Sequence, residues 1–231
     1  MTDEELEAMH ERKRQRTLAR KTKKIRKIQY RRTIWILFAA FVVLIDQITK
    51  WAVMEKVIRP VRYQTEGLGF FEWFANRPSI IPYTEIPITS YFNIVLAWNR
   101  GVSFSLFSDV GAYAPVILIF VALIIVMIFG LWLWSAEKHF QCFCNALVIG
   151  GALGNVVDRA RFGAVIDFLD FHINDIHWPA FNVADMAVVA GISLLIIVSL
   201  FFENKNTRRY RKSYKKRQEH KKYMRERFKV D

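Results

Sequence analysis

Cysteine is nearly missing from this 231-residue chain: there are two, Cys142 and Cys144, in a Cys-Phe-Cys string. Neighbours at i and i+2 suit a disulfide poorly, and two thiols alone make a poor metal site. A disulfide-stapled scaffold is excluded, and the pair reads as small apolar residues near a helix start. The chain also lacks Gly-x-Ser-x-Gly, His-Glu-x-x-His, a P-loop and a dinucleotide fingerprint. Their absence argues against nucleophile-elbow hydrolases, zinc proteases of that type and the common nucleotide enzymes. His172 and His177 stand near Asp170 and Asp175, but the spacing fits no helical face, so neither metal nor cofactor is expected. Positive charge is scarce in the middle. Residues 12–32 hold twelve Lys/Arg and residues 205–229 thirteen, leaving nine of 34 elsewhere. The net charge of +13 therefore belongs to two tails, not to a folded basic surface.

Long apolar runs are what the middle does have. Four stretches approach bilayer length: about 34–54, 112–134, 142–157 and 181–202. About 20 helical residues cover roughly 30 Å, the hydrocarbon thickness. Both basic tails, 1–33 and 205–231, are expected in the cytoplasm, which four spans permit. The membrane domain is then 34–204, with outer segments 55–111 and 158–180. Trp35, Trp132 and Trp134 fall at expected inner interfaces, and Trp51 and Trp178 at outer ones. A cleaved signal peptide does not suit the first span. Its basic region is long, Asp46 to Lys50 interrupt its far end, and no small-x-small site follows. In the outer segment, Tyr91–Trp98 and Val102–Phe107 are aromatic and β-branched runs split by Asn99-Arg100-Gly101. They predict a small sheet on the outer membrane surface. Residues 60–90 hold four of the six prolines and predict an irregular or short helical insertion.

Five aspartates crowd the outer end: Asp158, Asp167, Asp170, Asp175 and Asp185. Carboxylates beside lipid are expensive and point to function. Two that share one proton make an acid/base device. Asp167, on an expected loop returning to the membrane, and Asp185, at the start of the fourth helix, are the candidate pair. Asn182 and Asp185 are spaced i, i+3; a dipole-favoured first-turn acid alone would not explain the Asn. Asp46 and Lys50 are spaced i, i+4, as for a helical ion pair. Gly150 and Gly154 permit close helix approach, and Asn155 and Arg159 project from one face beyond them. Arg159 could hold a substrate backbone or a lipid phosphate, or pair with Asp158 at the interface, and the two readings are compatible.

Five strings in order resemble the lipoprotein signal peptidases (signal peptidase II). They are Asp46-Gln-Ile-Thr-Lys50, Asn99-Arg-Gly-Val-Ser-Phe-Ser105, Gly150 to Arg159, Val165-Ile-Asp-Phe168 and Phe181-Asn-Val-Ala-Asp185. The likeness covers about 34–204. It implies a mainly α membrane protein with four transmembrane helices and a small extracytoplasmic β-cradle. It implies that Asp167 and Asp185 are the catalytic pair of an aspartic endopeptidase. Asp46, Lys50, Asn99, Gly101, Asn155, Asp158, Arg159 and Asn182 are implied to bind substrate or support the site. Asp170 and Asp175 receive no catalytic part. The implied substrate is a diacylglyceryl-modified prolipoprotein, cut before its lipidated Cys at the outer face of a bacterial inner membrane. Val102-Ser103 replaces the family's usual Ala-Ala, and the outer segment before Asn99 is longer than usual. Two rivals follow from the residues alone. An ion-coupled transporter would spread its carboxylates through bilayer depth, whereas these gather at one end. A nucleic-acid anchor would use the tails, but such runs beside spans suit anionic phospholipid, so no nucleic acid is expected.

Overall fold

The structure is a computed structural model that describes residues 3–76, 80–101, 113–136, 138–203, 213–220 and 223. The chain divides into two units, Met1–Gly191 and Ile192–Asp231. The candidate site lies wholly in the first.

Helix α1 (Asp3–Trp51) has no Gly or Pro to interrupt it and continues into a π-helical stretch, Ala52–Ile58. Then come α2 (Arg59–Tyr63) and α3 (Phe70–Ala75). Strands β1 (Thr84–Thr89) and β2 (Phe92–Asn99) follow. Next are α4 (Ala114–Ser135) and α5 (His139–Phe162). Strands β3 (Val165–Ile173) and β4 (Ile176–His177) precede α6 (Val183–Val198). The second unit holds the end of α6, a π-helical turn at Ser199–Glu203 and a helical segment at 213–220.

Among the described residues, four helices are long and apolar enough to cross a membrane: Met9–Tyr63, Ala114–Ser135, His139–Phe162 and Val183–Phe201. On α4 only Ala114 and Leu133 are buried. An apolar helix left this bare finds its solvent in lipid. The chain is a multi-pass membrane protein.

Glycines set how closely α5 approaches its neighbours. A Cβ on Gly150 would stand 2.7 Å from the Ala39 carbonyl oxygen of α1. One on Gly154 would stand 2.7 Å from the Asp46 carboxylate. Small residues here let the backbones meet, which is how helices gain packing energy in lipid. Helix α5 runs past the sequence-expected end at Val157 and stops at Gly163, whose φ of +71° closes the helix in the left-handed region. Asp158 and Arg159 are therefore helical, not part of an outer loop.

The four strands form one antiparallel sheet in the order β1-β2-β3-β4. Ala97 pairs with Asp167 and Asn99 with Val165, with a register shift between Ile94 and Ala97. Met54, Ile58, Trp73, Leu96, Phe162 and Ile166 form the buried core joining sheet and helices. Strand β1 lies inside the stretch expected to be irregular. Its Pro87 argues against a central strand, but β1 is at the sheet edge, where a missing N–H costs little. The expected strand at Val102–Phe107 lies outside the described residues.

Candidate active site

Helix periodicity brings the first group together. Lys50 and Asp46, one turn apart on α1, form an ion pair of 2.7 Å, and Lys50 makes a second of 2.7 Å with Asp158 of α5. All three are fully buried. The backbone N–H of Ala184 donates to Asp46 at 3.0 Å, and that of Ile166 to Asp158 at 3.1 Å. Gln47 donates to both carboxylates, at 3.1 and 2.8 Å. A buried cation with two hydrogen-bonded carboxylates is a costly cluster that fixes three elements, α1, α5 and the start of α6, in one register. Arg159 makes no ion pair with Asp158, whose oxygens are already taken. The sequence singled out the string containing Gln47 without giving Gln47 itself a part.

Asn182 joins this cluster to the candidate pair. Its side-chain amide donates to Asp167 Oδ1 at 2.7 Å, to Asn155 Oδ1 at 3.2 Å and to the Ile166 carbonyl at 3.3 Å. Its backbone N–H donates to Asp185 Oδ2 at 3.3 Å, and its Oδ1 accepts from the Asp185 N–H at 3.0 Å. The last bond is an N-cap on α6, the local reason for an Asn at this spacing. Asn155 donates to Asp185 Oδ1 at 2.8 Å, and its own Oδ1 accepts from Lys50 at 3.4 Å. Asn99, at the end of β2, donates to Asp167 Oδ2 at 3.0 Å, and its Oδ1 accepts from the Gly101 N–H at 2.8 Å. Gly101 has φ +82°, a conformation that favours glycine.

Asp167 is on strand β3, not on a loop, and is almost fully buried. Burial first, and then the Asp185 carboxylate, push its carboxyl up to about 7. The Asn99 and Asn182 amides and the Lys50 ammonium act in the opposite direction. A proton therefore resides in this site near neutral pH. A groove of about 530 Å³ opens beside it, lined in part by Ala97, Asn99, Arg100 and Ala180. Arg159 is half-buried and lies in the field of Asp185 and Asp167. Its Nε is buried and has no hydrogen-bond partner among the described residues.

Asp170, to which the resemblance gives no catalytic part, is on strand β3 as well. It is buried on the opposite face of β3 from Asp167, accepting from Asn93 at 3.0 Å and pairing with His177 at 2.9 Å. Asp175 is exposed. Among the described residues, no three His, Cys, Asp or Glu gather as metal ligands would. Arg161 was missed by the sequence reading. It donates to the Trp73 carbonyl at 2.6 Å and stacks over the Trp73 ring at 4.2 Å, tying α3 to α5.

Comparison with known proteins places the chain in a family. The model of the family "Signal peptidase (SPase) II" matches residues 38–201. A lipoprotein signal peptidase of Cupriavidus taiwanensis is 38% identical over 170 residues, which cover 72% of this chain and 82% of the relative. One from Francisella tularensis subsp. novicida is 44% identical over 125 residues, 53% of this chain and 78% of the relative. A solved structure described as a bacterial membrane enzyme, at 1.9 Å resolution, has a TM-score of 0.54 at 27% identity, covering 74% of this chain and 94% of its own. A second, at 2.3 Å, scores 0.52 at 27% identity over 73% and 88%. The chain is a membrane protease and belongs to the signal peptidase II family.

Proposed function

We propose that this protein is an aspartic endopeptidase that removes signal peptides from diacylglyceryl-modified prolipoproteins, cutting before the lipidated Cys. The observation that carries the reading is Asn182, which holds Asp167 through its side chain and Asp185 through its backbone. One carboxyl of the pair keeps a proton and polarises the scissile carbonyl. The other is ionised and takes a proton from the attacking water. Tetrahedral collapse returns a proton to the leaving amine. Arg159, in the field of Asp185 and Asp167, would hold substrate backbone or phosphate through its planar fork. Asp46, Lys50 and Asp158 hold the helices beneath, and Asn99, Gly101 and Asn155 orient the pair. No metal or covalent intermediate is required. The direct test is a detergent assay of two precursors, one carrying the diacylglyceryl Cys and one with that Cys changed to Ser. Only the first is expected to be cut. Equal cleavage of both would remove lipid recognition from the reading.

The site is proposed to lie near the outer face of a bacterial inner membrane, with both basic tails cytoplasmic and against anionic phospholipid. Glu66→Cys, in an exposed loop after α2, is expected to react with an impermeant maleimide in intact cells, and Ser213→Cys only after permeabilisation. The native cysteines are buried and do not compete. Reaction of Ser213→Cys from outside would reject this topology.

The shared proton predicts a pH profile. An Asp whose carboxyl is raised to about 7 is protonated below that pH and ionised above it. Above it the pair loses its proton donor, so turnover should fall by about tenfold per pH unit on the alkaline side. Single-turnover rates from pH 6 to 9 in one detergent check this. A rate that climbs across that range would mean the deprotonated pair is the active form, contrary to the proposal.

A further inference from the structure

The β3–β4 hairpin has two unlike faces. Ile173 pairs directly with Ile176, so both point to one side. Phe171 lies two residues before Ile173 and shares that side. Trp178, two residues after Ile176, donates its N–H to the Phe171 carbonyl and joins them. Ile173 is 76%, Ile176 79% and Trp178 69% exposed. The other face carries Asp170, His172 and His177, with the two imidazoles stacked at 4.8 Å and Asp170 bonded to His177. Alternation this clean marks a two-stranded ribbon with one wet and one dry side. Among the described residues of the first unit, nothing covers the dry side.

The place of the hairpin in the chain says what does. Strand β3 begins three residues after α5 ends, and α6 begins six residues after β4 ends. Both helices span the membrane, so the hairpin springs from and returns to the same bilayer face. Phe171 stacks on Phe181 at 5.9 Å and 17°, and Phe181 stands two residues before α6. The apolar strip is thereby held at the level where a span leaves the hydrocarbon. Asp167 lies on the same side of β3 as Leu169, Phe171 and Ile173. A Trp beside two Ile at this depth is the composition of a membrane-interface anchor. Asp175, exposed at the tip, sits at the turn beside Asn174, whose φ is +51°. That allows a shallow, flat insertion with the carboxylate among headgroups.

We propose that the amphipathic β3–β4 hairpin lies in the bilayer interface, with Ile173, Ile176 and Trp178 in the acyl-chain region, and so fixes the height of the sheet above the membrane. This inference needs the spans but not the aspartic mechanism. The test uses the full chain in nanodiscs of phosphatidylethanolamine and phosphatidylglycerol. Ile173→Cys and Ile176→Cys are each spin-labelled, and their collision rates with oxygen and with a water-soluble nickel chelate are compared. Both positions are exposed, so labelling should not disturb packing, and retained precursor cleavage verifies the fold. Oxygen is expected to relax both labels several-fold more effectively than the nickel chelate. Nickel accessibility equal to that of a label in water would overturn the proposal, including the case in which the strip awaits a protein partner. As a second readout, Trp178→Asp is expected to raise KM for a bilayer-embedded precursor several-fold while kcat holds. An unchanged KM would also count against it.

Discussion

Asp167→Asn and Asp185→Asn are each expected to lower turnover by roughly 1,000-fold. Asn keeps the shape and one acceptor but cannot exchange a proton. An Asn at 167 would keep one of the two bonds, from Asn182 at 2.7 Å or from Asn99 at 3.0 Å, and the other amide would have to turn; the Lys50 ion cluster is untouched, so the variants should still insert and fold. The double variant should be little slower than either single one, because a pair sharing one proton fails once. Asp175→Asn, exposed at the hairpin turn, is the proper control and should cleave normally. Asp170→Asn is not a control. Its carboxylate is buried against Asn93 and His177, and the change would disturb the sheet that carries Asp167. Chelators should leave the wild type unaffected. The measurement is signal-peptide release from a lipid-modified precursor by monodisperse variants in detergent. Near-normal turnover in Asp167→Asn or Asp185→Asn would end the aspartic reading and send the search for the catalytic groups elsewhere in the site.

What the sequence disclosed depended on the distance over which a pattern acts. The four spans were visible because an apolar run needs no partner to be recognised, and the glycines of α5 because their spacing matches the helical period. Asp46 and Lys50 were legible as a one-turn pair for the same reason. The second partner of Lys50, Asp158, was not, because it lies 108 residues away and only tertiary packing selects it. Asp158 looked instead like a companion for its neighbour Arg159. The sheet was only half legible. Strand β2 is a plain aromatic and β-branched run, but β1 is hidden by Pro87, which is harmless only at an edge, and edge position is a property of the whole sheet. Asp167 read as a loop residue because Asp interrupts the apolar string of β3. Its burial is tolerated by two amide donors, Asn99 and Asn182, that the local string does not contain. Asp170 read as a bystander for the same reason. Its partner Asn93 belongs to β2, 77 positions earlier.

Lys50→Met is expected to be among the most destabilising single changes in the chain, by about 3–5 kcal/mol. Met matches the length of the Lys stem and fills the same space, so the loss is electrostatic. Lys50 is fully buried and stands 2.7 Å from both Asp46 and Asp158. Without it two carboxylates share a dry pocket, each with backbone and Gln47 donors but no cation. At least one must take up a proton or draw in water, and either response loosens the contacts that hold α1 against α5 and the start of α6. The effect on Asp185 would be indirect, through Asn155, which Lys50 also contacts at 3.4 Å. Two further variants separate charge from packing. Lys50→Met combined with Asp46→Asn and Asp158→Asn removes the cation and both anions together, and should recover much of the lost stability, because neutral groups of similar shape can replace a buried ion cluster at small cost. Asp46→Asn alone leaves Lys50 with Asp158 and should cost less than Lys50→Met. Thermal unfolding in one detergent, followed by tryptophan fluorescence, gives the ranking. If Lys50→Met melts with the wild type, the cluster contributes nothing net. If the triple variant is no better than Lys50→Met, the loss comes from packing and not from stranded carboxylates.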